Sequence, residues 1–266
     1  MTTALGLELR RMRSIVLWSA IVAIAYGGVV AGFYPTFRDN AKLMEQYMAV
    51  FSKDLLAIFG MRGSLADPGV FFNVYIGGML WPIVAGMVAI VLATRPVGAD
   101  LERGFLELAI ATRLSRVRYL GMAILAQVAA MALVAAATIA GILVVGWLVG
   151  APFDTARFAL AGLHAFAFGL AIAAVTTLLS VLTLDRGRAA GIAVGLLIGM
   201  YLLDAAAKVW KSVGAWADLS AFHHFQTLDI IDHGTFPTGD FILFLAVAAI
   251  GWSAALVLFR DRDLVA

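Results

Sequence analysis

The sequence predicts an all-α polytopic membrane protein, six membrane-crossing helices preceded by an amphipathic N-terminal helix at the interface. Three observations predict it. Of the 266 residues, 63% are apolar and 14% charged, with a mean hydropathy of +0.97; a soluble domain runs at roughly 45–50% apolar and about 25% charged. The apolar residues collect into six runs, each near or above the roughly 20 residues that cross a bilayer. The basic residues collect in alternate connections between those runs. Unpaired backbone groups are costly in hydrocarbon, so the runs are helices. Barrel strands would alternate polar and apolar residues, and Ala129–Gly146 does not.

Taken in order, residues 2–13 form a short amphipathic helix with Leu5, Leu9 and Met12 on one stripe and Glu8, Arg10, Arg11 and Arg13 elsewhere. Such a helix lies along the inner interface with its arginines toward anionic lipid. The first run, 14–34, is too long for a signal-peptide core and is a retained span. Segment 35–69 balances four basic against four acidic residues around Met48–Phe51 and Leu55–Phe59, which predicts an external helix. The remaining spans are 70–94, 119–149, 158–184, 189–207 and 241–259; the third and fourth exceed a bilayer and tilt or extend past it. Between them lie the charged loop 95–118 and the segment 208–240, whose apolar stretches are too short to cross. The whole chain, 1–266, reads as one transmembrane domain.

Orientation follows from Arg and Lys. With the N-terminus inside, twelve of the nineteen basic residues fall in cytoplasmic segments, which are also the shorter ones. Both termini are then cytoplasmic. Trp18, Trp147 and Trp210 fall at span ends, where an indole keeps its N–H wet; Trp81 and Trp252 lie deeper and pack.

Several chemistries are excluded. With no cysteine there is no disulfide, thiolate nucleophile or Cys-ligated metal. A net charge of +2 gives no case for nucleic acid. A P-loop needs Lys directly after Gly, but the four lysines follow Ala41, Ser52, Ala207 and Trp210. Neither H-E-x-x-H nor G-x-S-x-G occurs. No cofactor is expected on this chain.

Loop 95–118 is the most informative stretch. A plain connector accounts for its arginines but has no need of Phe105, Leu106, Leu108, Ile110 and Leu114 between its charges. Phe105 and Leu108 share one helical face, and Leu106, Ile110 and Leu114 a neighbouring one, so the loop contains a short helix with apolar contacts to make. Ser115 can cap the next helix. The run Asp100–Arg116 resembles the loop after the second helix in permease subunits of ABC-2 type transporters: Glu102, Gly104, Leu106, Glu107, Leu108, Ser115 and Arg116 match that pattern. Phe105 stands where Thr is usual and Arg113 where Pro is usual, so the loop's detailed shape departs from the family's. Six spans, inside termini, a basic N-terminal helix and a long outer segment before span six look like the same family.

The resemblance implies an ATP-driven exporter of the bacterial or archaeal cytoplasmic membrane. Two permease chains, a second copy or a homologue, pack against separate P-loop ATPase subunits that carry ATP and Mg. The loop then acts as a coupling helix seated in the ATPase, with Glu102, Arg103, Gly104, Glu107, Arg113 and Arg116 as coupling residues; a Glu107–Arg103 ion pair within the loop competes with that role. Spans two and five border the path.

Span five carries Gly187, Gly191, Gly195 and Gly199 in one row, which lets another backbone approach closely. The row meets either a helix of the same chain or a second subunit. Gly28 and Gly32 are a weaker instance. Buried polar residues are few: His164 suits a helix–helix hydrogen bond and Asp204 an ion pair with Lys208 four residues on. His223, His224, Asp229, Asp232 and His233 can ligate a metal, but Leu228, Ile230 and Ile231 among them suit the buried side of a short helix. A metal-dependent hydrolase using that cluster is the rival to the exporter, and a non-transporting scaffold a third reading.

Overall fold

The computed structural model describes residues 2–59, 61, 63–78, 80–102, 104, 115–151 and 153–262, with side chains for all of these but 2–11, 53, 54 and 57. Among the described residues there is no strand, and six helices are long and apolar enough to cross a membrane. Helix α1 (Thr2–Asp39) joins the expected interfacial segment to the first span without a break. Helices α2 (Ala41–Met48) and α3 (Lys53–Ile58) supply the helical structure predicted for 35–69.

The second span is Pro68–Glu102, and it is segmented. It comprises α4 (Pro68–Phe72), a π-turn at Asn73–Gly77, α5 (Leu80–Ala93), a second π-turn at Arg95–Ala99, and α6 (Asp100–Glu102). Each π-turn inserts a residue into the helical ladder and redirects the helix beyond it, a feature frequent at functional sites.

The next three spans start at side-chain caps. Ser115 Oγ accepts the Arg118 N–H at the start of α7 (Arg116–Leu148). Asp154 caps α8 (Thr155–Thr183) through the Ala156 and Arg157 N–H groups, and Asp185 caps α9 (Arg186–Val209) through Arg188. After the short helices α10 (Lys211–Gly214) and α11 (Leu228–His233) comes the sixth span, α12 (Thr238–Asp261).

Helix α8 is the centre of the bundle, packing on α5, α7, α9 and α12, while α1 lies along α7. Small residues make the α1–α7 crossing close. A Cβ on Gly27 would stand 2.6 Å from the Thr138 carbonyl oxygen, and one on Gly28 2.9 Å from Val145. The Gly28/Gly32 row is thus used within the chain. Trp18, Trp147 and Trp210 are exposed and Trp81 is buried, as their positions predict.

The bundle has two distinct ends. The basic end carries the turn at 95–99, Arg116, Arg186, Arg188 and Arg262. The histidine end carries 41–67, 149–154 and 210–237.

Candidate functional site

At the basic end, the second π-turn is wedged against the start of α9. The Gly98 N–H donates to Ser180 Oγ (3.3 Å), and a Cβ at Gly98 would lie 2.7 Å from both N and Cα of Arg186, so only glycine permits this approach. Four residues on, Glu102 Oε1 accepts the Arg186 backbone N–H at 3.1 Å. Asp100 is fully buried and accepts the Tyr119 hydroxyl at 2.6 Å. Arg116 donates to the Arg262 carbonyl, and Arg262 Nη2 to the Leu182 carbonyl at 2.7 Å, tying the start of α7 to the ends of α12 and α8.

Of the expected coupling residues, Glu102 and Arg116 therefore hold neighbouring elements of this chain, and Gly104 takes a left-handed turn with φ +67°. Arg103, Glu107 and Arg113 lie outside the described residues, as does 105–114 as a whole. Asp100, Gly98 and Tyr119 escaped sequence reasoning as site residues; an acid two positions before Glu102, at the end of an apolar span, was the available signal.

In the middle, three rings stack. Phe225 stacks with Trp81 (centroids 6.0 Å, planes 11° apart) and with His164 (5.5 Å, 7°). Trp81 Nε1 donates to Thr138 Oγ1 at 2.8 Å. The fully buried His164 bonds the His224 carbonyl through Nε2 at 3.0 Å. A carbonyl only accepts, so Nε2 carries the proton. The partner is a loop carbonyl rather than another helix.

Phe225 belongs to segment 210–237, which turns back into the bundle at the histidine end with Phe222, Phe225, Ile230 and Ile231 buried. Polar contacts hold it to α9, span two and α8. Ser220 Oγ donates to the Met200 carbonyl (2.6 Å), Thr227 Oγ1 to Asn73 Oδ1 (3.2 Å), and Asp232 Oδ1 accepts the Gly69 N–H (2.7 Å). Arg157 Nη1 donates to the carbonyls of Ile231 (3.0 Å) and Asp232 (2.7 Å). Burial raises the Asp232 pKa above the usual carboxylate value, with the Gly69 N–H opposing it.

Both ring nitrogens of His224 face acceptors: Nδ1 is 2.7 Å from Asp240 Oδ1 and Nε2 is 3.0 Å from the Asp218 carbonyl. Only the doubly protonated ring donates to both. Burial alone would lower its pKa, but the Asp240 carboxylate and the Asp218 carbonyl together leave it raised. The other histidines of the segment each sit by their own carboxylates, His223 3.6 Å from Asp204 and from Asp218, and His233 3.4 Å from Asp229. Among the described residues no three His, Asp or Glu side chains are grouped to hold a metal.

The family model of the multidrug efflux system permease Rv1217c, C-terminal domain, matches residues 1–260. The chain belongs to that permease family. Comparison with curated proteins gives no match. The protein is thus a multi-pass transporter permease rather than an enzyme.

In this permease the glycine row of α9 faces away from the other described residues. A Cβ on Gly191, Gly195 or Gly199 would meet nothing within 4 Å, and one on Gly187 only its own cap, Asp185, at 3.4 Å. Ala189, Ala193 and Leu197 are buried on the opposite side. Flanking the row, Ile192, Leu196 and Leu202 are exposed. Asp204, near the end of the same helix, pairs with Lys208 at 2.7 Å as its spacing predicts.

Proposed function

We propose that this chain is the membrane-spanning subunit of an ATP-driven, ABC-2 type exporter. It lies in the cytoplasmic membrane with the basic end and both termini inside. ATP and Mg are bound by separate P-loop ATPase subunits. Motion of those subunits enters through loop 95–118, in which Arg103, Glu107 and Arg113 remain the coupling contacts.

One observation carries this reading. Loop 95–118 begins in a turn that is packed on α9 at Gly98 and bonded to it at Glu102. A displacement of the loop therefore moves spans two and five together at the basic end. The matched family describes one domain of a longer permease, which supports pairing of this six-helix unit with a second, a copy or a homologue. The open glycine row suits that contact, since small residues let helices in lipid approach closely.

Co-purification tests the reading. The chain expressed beside its genomic neighbours should bring down a P-loop ATPase, and Glu107→Lys should weaken that association. Full transport by the purified chain in vesicles without nucleotide or companion would overturn it.

A further inference from the structure

A cavity of about 320 Å³ opens at the histidine end between the first π-turn of span two, the last turns of α9 and segment 210–237. That volume lies at the lower end of the range for small-molecule sites, about 300–1,000 Å³. Its wall combines the apolar Phe222, Phe225 and Leu228 with the charged Asp204, Lys208 and Asp229. Two carboxylates stand against one ammonium, and the ammonium is already taken. Lys208 Nζ is 2.7 Å from Asp204 Oδ2, whose side chain is only 3% exposed. The carboxylate of the cavity wall left to the solvent is that of Asp229, whose side chain is 56% exposed and has the neighbouring His233 rather than a lysine or arginine beside it at 3.4 Å, with Asp218 adding a second carboxylate nearby through His223. The Phe225 ring is already stacked with Trp81 and with His164, so its role in the cavity wall is apolar contact.

We propose that this cavity binds amphipathic organic cations, with the cationic centre held by Asp229 and the apolar body against Phe222 and Phe225. This rests on the permease reading and names the substrate class of its histidine-end site. An anion of the same shape meets the wrong sign, because Lys208 is spent on a buried carboxylate. For an inorganic cation, no three His, Asp or Glu side chains are grouped among the described residues.

Tetraphenylphosphonium and tetraphenylborate have the same shape and opposite charge. Their binding to the full chain in lipid nanodiscs, with empty nanodiscs subtracted and no ATPase present, tests the proposal. Saturable binding of the cation and none of the anion is expected. Asp229→Asn should weaken cation binding by about two- to fivefold, the range for a partly exposed charge pair, and Asp229→Lys should weaken it further and admit the anion. Melting curves establish that both variants fold. Equal binding of the two ions, saturable binding of neither, or cation binding unmoved in both folded variants would overturn the assignment. Since no ATPase takes part, such a failure leaves the exporter reading standing, and failed co-purification leaves this one standing.

Discussion

Glu102 accepts the backbone N–H of Arg186, so the last turn of the second span caps the first turn of the fifth. A helix start leaves four N–H groups without intrahelical partners, and here two carboxylates serve different ones: Asp185 takes Arg188, Glu102 takes Arg186. An acid also suits the positive end of the helix dipole. Glu102→Ala is expected to cost about 0.5–1 kcal/mol of stability. It should lower transport while leaving ATPase association intact, whereas Glu102→Gln, which keeps an acceptor, should be milder in both. Thermal melting and co-purification run in parallel check this. Loss of ATPase association with an unchanged Tm would make Glu102 a partner contact instead.

The glycine row and the Gly27 crossing predict opposite outcomes for one chemical change. Gly195→Ala adds a methyl group that meets nothing among the described residues, and alanine is favoured over glycine in a helix by about 1 kcal/mol. The protomer should hold or gain stability. Gly195→Leu should still fold but lose its second subunit, read as a shift from dimer to monomer by native mass spectrometry. Gly27→Ala, by contrast, drives a methyl group to 2.6 Å from the Thr138 carbonyl and should lower Tm.

His224 makes the histidine end pH-dependent. Its folded-state pKa is raised, so the stability it contributes is fully present below the unfolded value of about 6.5 and is lost as pH rises through the folded value above it. Tm should therefore be steady in mild acid and fall through neutral and weakly alkaline pH. Asp240→Asn, which removes the carboxylate at 2.7 Å, should flatten that fall and lower Tm on the acid side. A parent and variant with parallel pH profiles would exclude His224 as the source.

Much of this architecture was legible in the sequence, and the limits have physical causes. Six spans were readable because about 20 apolar residues have one use in a chain with so few charges. The Ser115 cap and the Asp204–Lys208 pair were readable because both are local. The π-turns of span two were not, since what holds them is distant: Thr227 against Asn73, and Arg186 against Gly98. Periodicity revealed two glycine rows but not their difference, because which face a helix buries depends on its neighbours. Gly28 seats on Val145, and Gly191 on nothing among the described residues. For the site, Glu102 and Arg116 were identified by type and position, but the carbonyl and N–H groups they bond come from elements 84 and 146 residues away.

Arg157 sets how firmly the returning segment is held. Its guanidinium serves two carbonyls in the last turn of α11, those of Ile231 and Asp232, and its Nε lies 3.3 Å from Asp154, the cap of α8. Without it those carbonyls lose their side-chain donor, at a cost of about 1–3 kcal/mol for buried groups and toward the lower figure here, since Arg157 is 39% exposed. Lysine cannot replace it, because a single ammonium lacks the planar fork that reaches two carbonyls and a carboxylate together. The chain contains no cysteine, so an introduced thiol is read without background. In an Ile231→Cys chain the thiol, at a buried position, should react slowly with a water-soluble maleimide. Adding Arg157→Ala should speed that reaction severalfold, with Arg157→Lys close behind. Labelling that stays slow in both would mean that the contacts of Ser220, Thr227 and Asp232 suffice to hold the segment without Arg157.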